Sequence, residues 1–165
     1  MVFGGGWEDL RLSHSILYDG SGYTAFYLRR MRYSGSQCQG RSYPWDVAWD
    51  YVRNTSSDGV NWGSEQVIFK YGCHNEARPD WHFVIATNTS AKYILFYLDP
   101  ASGGIAYRKS ADDQGTSWSA PQSIPIATTA FSIQQDGSAT YLYYGDTSNL
   151  QRVELSIDSN GDVVW

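Results

Sequence analysis

At 165 residues, with 42% hydrophobic and 18% charged residues, the chain is long enough for one domain with a real core and too apolar to remain disordered. A net charge of -5 and an isoelectric point near 5.0 leave no basic excess to displace counterions from phosphates, which argues against a nucleic-acid partner. No apolar run approaches the length of a membrane span, and the opening MVFGGGWEDLR lacks the basic and apolar segments of a leader, so no membrane partner is expected.

Three stretches share one layout in chain order: an apolar strand, a Gly or polar turn, an aromatic alternating strand, a third strand and a turn ending in Trp. The repeats run over 7–72, 73–126 and 127–165. Alternation in Tyr23–Leu28, Tyr93–Tyr97 and Tyr141–Tyr144 has the period of two that strands require, and the Gly-rich breaks between such runs suit tight turns. No segment offers a helical face, so the fold class is all-β.

The closing turns are Ser56-Ser57-Asp58-Gly59-Val60-Asn61-Trp62, then Ser110 to Trp118 with Asp112 or Asp113 as the acid and Gly115 as the turn glycine, then Ser156 to Gly161 around Asp158, leading to Trp165. An Asp carboxylate accepts from the N–H groups of a turn, Gly permits positive φ, and Trp adds apolar area at the strand end. Trp118 follows Trp62 by 56 residues and Trp165 follows Trp118 by 47, spacings close to the length of a propeller blade.

With those turns in place the chain resembles the Asp-box β-propellers, that is, the sialidase-like and related propeller glycoside hydrolases with their S-x-D-x-G-x-T-W turn. The resemblance implies blades of four antiparallel strands, about three per chain. A closed ring takes four to eight blades, so it also implies a homo-oligomer, most simply a dimer of two half-rings. The third repeat stops where its outer strand should begin, and residues 1–4, on the Gly4-Gly5-Gly6 leash, are a candidate for that strand. The Arg-Ile-Pro of the sialidases is absent from Arg11-Leu12-Ser13.

In an antiparallel blade the turn between strands three and four lies on one face, and the connections between strands two and three and between blades lie on the other. The Asp boxes then mark the structural face, and ligands are sought opposite. Tyr23 to Trp62 is 39 residues, against 25 from Tyr93 to Trp118 and 24 from Tyr141 to Trp165, so the first repeat carries about 14 extra residues within 30–45. Arg41, Tyr43 and Trp45 from that insertion, with His74, Arg78 and Trp81 from the following inter-repeat segment, form a candidate glycan-binding set. Aromatic rings stack on apolar sugar faces, while Arg, Asp and Asn bond to hydroxyls or a carboxylate.

Glu76 and Asp80 are the candidate carboxyl pair should the chain be a glycoside hydrolase, which needs two such groups at a set separation. A carbohydrate-binding, lectin-like module is the favoured expectation, and a structural fragment without its own ligand is the third. Cys38 and Cys73 are compatible with a disulfide, a reduced pair or two unrelated thiols. No CxxC or His-Cys spacing points to zinc, the three histidines His14, His74 and His82 are too few for a metal site, with His14 and His82 read as structural, and no metal or cofactor is expected.

Overall fold

Period-two alternation broken by Gly and Asp turns folds as read: strands and turns, with no helix among the described residues. A computed structural model describes residues 11–32, 47–73, 81–86, 89–99, 102–136, 139–145 and 148–165. Its strands are β1 (Arg11–Tyr18), β2 (Tyr23–Arg32), β3 (Val47–Ser56), β4 (Gln66–Cys73), β5 (Trp81–Ile85), β6 (Tyr93–Asp99), β7 (Gly104–Lys109), β8 (Gln122–Ala127), β9 (Ala130–Asp136), β10 (Ala139–Gly145), β11 (Leu150–Ile157) and β12 (Val163–Val164). They form three four-stranded antiparallel sheets, β1–β4, β5–β8 and β9–β12, each paired in chain order. The aromatic alternating runs are the second strand of each sheet, β2, β6 and β10.

The chain divides into two compact units, Met1–Arg78 with the first sheet and Pro79–Trp165 with the other two. In the first unit, cross-strand pairing of Ala25 with Asn54 and of Tyr27 with Val52 places Ala25, Tyr27 and Val52 on one sheet face, where Trp62 packs against them. Phe26 and Tyr51, on the other face, are also fully buried.

The second unit is two sheets packed on one core. Val84, Ile94, Phe96, Ile105, Tyr107 and Ile124 from β5–β8 meet Phe131, Leu142, Leu155 and Val163 from β9–β12. Each large apolar side chain removed from water in this way contributes roughly 1.5–3 kcal/mol. Tyr93 and Leu95 of β6 are buried as completely as Ile94 and Phe96, so both faces of the second sheet are covered. The third sheet alternates instead: Leu142 and Leu155 face the core, while Tyr141, Tyr143, Arg152 and Glu154 take the other face.

Polar ties lock the two sheets together. The Gln135 amide donates to Ile85 O at 2.6 Å and accepts from Ile85 N–H at 3.2 Å, joining β9 to β5. The buried Tyr107 hydroxyl donates to Gln122 and accepts from Val163 N–H at 3.2 Å, and Lys109 meets Asp162 at 2.7 Å. The His82 ring sits edge-on to Phe131 at 4.9 Å, a packing role. The fourth position of the third sheet is held by the chain's own β12, two residues long and paired with Ser156 and Ile157. Residues 1–4, the expected donors to that position, lie outside the described residues.

Candidate functional site

The turn that follows the third strand of each sheet is tied by an Asp carboxylate. Asp58 accepts from the N–H groups of Val60 and Asn61 at 2.9 and 2.8 Å and from the Asn61 amide at 2.8 Å, while the Ser56 hydroxyl donates to it at 2.9 Å. In the second turn Asp112, not Asp113, has this role: it takes the N–H groups of Gln114, Thr116 and Ser117 and both hydroxyls of Thr116 and Ser117. Ser110, buried at the start of that turn, accepts from the N–H groups of Lys92 and Tyr93.

Trp62 and Trp118 donate their indole N–H to Gly59 O and Gly115 O, at 3.2 Å in both turns. Gly59, Gly115 and Gly161 all have positive φ, a backbone state that favours glycine. The third turn keeps the Asp and the Gly but not the Trp: Asp158 accepts from Asn160 and Asp162 N–H at 2.8 Å, whereas Trp165, expected as its closing ring, stands half exposed beyond β12. The turn is shorter, so the chain re-enters a strand before the Trp is reached.

These bonds set the acidity of the turns. The Asn61 N–H, followed by Val60 N–H, the Asn61 amide and the Ser56 hydroxyl, holds Asp58 well below the usual carboxylate range. Asp112 is lowered in the same way, chiefly by the Ser117 hydroxyl and against some burial. Lys109 lowers Asp162, and burial raises the Tyr107 phenol. Asp58 and Asp112 are spent on their own turns and leave little capacity for a ligand.

The opposite end of the second unit differs. Antiparallel order brings the β6–β7 turn, the β8–β9 connection and the β10–β11 turn to one end, away from the β7–β8 and β11–β12 turns. There Gly103, Ala127, Thr128, Thr129, Tyr144, Gly145, Asn149 and Gln151 line an open cleft of about 440 Å³. The Thr128 hydroxyl bridges Ala130 O at 2.8 Å and Gly145 O at 3.1 Å, which ties the β8–β9 connection to the end of β10. Tyr144 packs its ring against the core and donates its hydroxyl to Gln151 Oε1 at 2.8 Å, leaving the amide N–H groups of Gln151 for other partners. At Gly145 an added Cβ would fall 1.9 Å from Asn149 O, so glycine is what lets the cleft wall close this tightly. The described lining residues carry hydroxyls, amides and one aromatic ring, and none carries a formal charge.

A second polar cluster lies in the first unit. Arg29 bridges Glu65 at 2.5 Å and Asp50 at 3.3 Å, and the buried Tyr27 hydroxyl donates to Glu65 at 2.6 Å. Burial opposes the Arg29 charge, but its two carboxylate partners outweigh that and raise its pKa. This arrangement joins β2, β3 and the approach to β4 as a structural ion network.

Of the residues singled out from sequence, Arg41, Tyr43, Trp45, His74, Glu76, Arg78 and Asp80 lie outside the described residues, as does Cys38. Trp81 opens β5, opposite Tyr97. Among the described residues no group of three His, Cys, Asp or Glu side chains is placed to hold a metal ion. The cleft residues escaped the sequence reading because they come from three separate connections, none of them long. The one available signal was the small polar content of two of those connections, Thr128-Thr129 and Thr147-Ser148-Asn149. Set against known protein families, curated proteins and solved structures, the chain matches none.

Proposed function

We propose that the chain is a carbohydrate-binding, propeller-type module that holds a neutral glycan in the cleft formed by the β6–β7, β8–β9 and β10–β11 connections. The observation that carries this reading is the lining itself: hydroxyls and amides beside the Tyr144 ring, without a charged group among the described residues. A sugar presents paired donors and acceptors around an apolar face, and uncharged amides and hydroxyls beside an aromatic ring match both. The volume lies within the range of small-molecule sites. In the same reading the three sheets are Asp-box blades, supported by their common strand order and by the 3.2 Å Trp-to-Gly bonds of the first two turns. Three blades being fewer than a ring takes, the protein works as a homo-oligomer.

The test is a neutral glycan panel read by calorimetry. Tyr144→Leu removes the ring and should weaken binding about tenfold. Asp112→Ala, in the β7–β8 turn at the other end of the same unit, should leave affinity unchanged in the folded protein. Binding indifferent to Tyr144→Leu but lost with Asp112→Ala would reverse the assignment of the two ends of this unit.

A further inference from the structure

The outer edges of the three sheets are finished differently. In the first sheet the pairing of edge strand β4 with β3 is broken by register shifts between Trp49 and Asp50 and between Tyr51 and Val52. In the second sheet the edge strand β8 contains Pro125, which has no N–H to offer. Bulges and prolines both blunt an edge against further pairing. In the third sheet β12 covers only Ser156 and Ile157, and among the described residues no strand lies beside Leu150–Leu155 of β11. That stretch, LQRVEL, has neither Pro nor Gly and pairs with β10 without a register shift, and its Leu150 is 78% exposed. A regular, uncovered edge of this kind is a template for another strand.

Charge identifies the occupant. Arg152 and Glu154 stand on the outward face of β11 on either side of Val153, opposite Tyr143 and Tyr141 of β10. When a second β11 lies antiparallel beside the first about a twofold axis at Val153, each Arg152 falls directly across from Glu154 of the other copy. The same register keeps Val153 and Leu155 of both copies on the core side. Opposite charges directly across a strand pair are favourable, and this arrangement makes two such pairs. We infer that two copies of this chain join edge to edge through Gln151–Leu155 of β11, forming one antiparallel sheet across the twofold axis, with β12 marking where the pairing stops. This contact is distinct from the packing of sheet face on sheet face that ring closure takes. Ser132, Gln134, Tyr141, Tyr143, Arg152 and Glu154 make the outward face of the third sheet polar rather than apolar. The inference does not rest on the glycan reading.

Sedimentation equilibrium on the full chain tests it. Wild type should self-associate, and Arg152→Glu, which sets like charges across the axis twice, should weaken that association by about tenfold or more. Adding Glu154→Arg to the same chain should restore it. Arg152 also lies over the Tyr141 ring at 5.0 Å, a contact that Glu154→Arg alone keeps; that single variant sets Arg against Arg twice across the axis and should weaken association as Arg152→Glu does, which separates pairing between copies from damage within one. A chain that stays monomeric, an association unmoved by Arg152→Glu, or a double variant no better than the single would each overturn the proposal. So would an association that ignores both charge changes but disappears when residues 1–6 are removed, since the first residues would then be the contact.

Discussion

At one end of the second unit Asp112 and Asp158 gather the backbone N–H groups of their own turns; at the other, Thr128, Tyr144, Asn149 and Gln151 line an open cleft. Both ends are made of short connections rich in small polar residues, so composition does not separate them. What separates them is whether the polar groups are used up locally. A carboxylate has several acceptor sites and can satisfy a whole turn by itself, whereas an amide or hydroxyl bonded once keeps capacity for a further partner. The tied end fixes where the strands stop; at the other end the Thr128 hydroxyl is taken by Ala130 and Gly145, and it is the Gln151 amide N–H groups that are left for a ligand.

The sharpest way to break the tied end is through its backbone. Gly161 has a φ of 78°, and an added Cβ would lie 2.8 Å from the Ala91 Cβ, so Gly161→Ala is strained both in its own dihedral and against the β5–β6 connection. The expected cost is about 1–3 kcal/mol in urea unfolding, with glycan affinity at the far end unchanged once the protein is folded. A variant as stable as wild type would show that the third turn moves easily and that its contacts to Ala91 and Ser90 do not hold the sheets.

Much of this end was legible beforehand. Positive φ demands Gly where Gly59, Gly115 and Gly161 stand, and an Asp a few residues earlier is the natural acceptor, so turn chemistry could be read from spacing alone. The strands were legible too, because Tyr93 to Tyr97 and Tyr141 to Tyr144 alternate across a sheet. Choosing Asp112 over Asp113 depended on which carboxylate meets Thr116 and Ser117, a question of geometry. Trp165 fitted the turn pattern but not the turn, whose shorter path enters β12 first. The cleft was not legible: Gly103, Thr128 and Gln151 are far apart in sequence and meet only because antiparallel order returns their connections to one end. The Arg29, Asp50 and Glu65 network was hidden for the same reason, although Arg29 and Asp50 prove to be direct cross-strand partners.

A smaller effect on the tied end comes from the acids themselves. Asp58 and Asp112 have folded-state pKa values below the ordinary 3.8, so the stability they contribute is fully present above about pH 4 and is lost as pH falls through their folded values. Asp58→Ala and Asp112→Ala should each lower the urea midpoint at pH 7, by less than Gly161→Ala, because these carboxylates sit near solvent. Each deficit should shrink between pH 4 and pH 2, because there the carboxylate of the unfolded chain takes up a proton while the folded one, held ionised by its turn, does not, and acid therefore draws wild type toward the unfolded state. Measuring midpoints at pH 7, 4 and 2.5 checks the sign; a deficit that grows on acidification would mean that the two carboxylates are not what holds the turns.

The smallest expected change in stability lies at the cleft and sharpens the contrast most. Gln151 is exposed, and its side-chain amide oxygen accepts from the Tyr144 hydroxyl, itself at the surface. Gln151→Ala frees that hydroxyl to bond with water, leaves no buried group unpaired and keeps the Tyr144 ring packed on the core, so unfolding free energy should shift by no more than about 0.5 kcal/mol. A neutral glycan loses the amide donors that Gln151 has to spare, and affinity should fall about fivefold to tenfold, the scale of one or two hydrogen bonds. Gln151→Glu keeps the acceptor for Tyr144 but replaces the amide donors with a charge, and should bind as poorly as Gln151→Ala. Equal affinity in all three proteins would mean that the amide at this end is as idle toward ligand as the carboxylates are at the other, and the ligand would have to be sought outside this cleft.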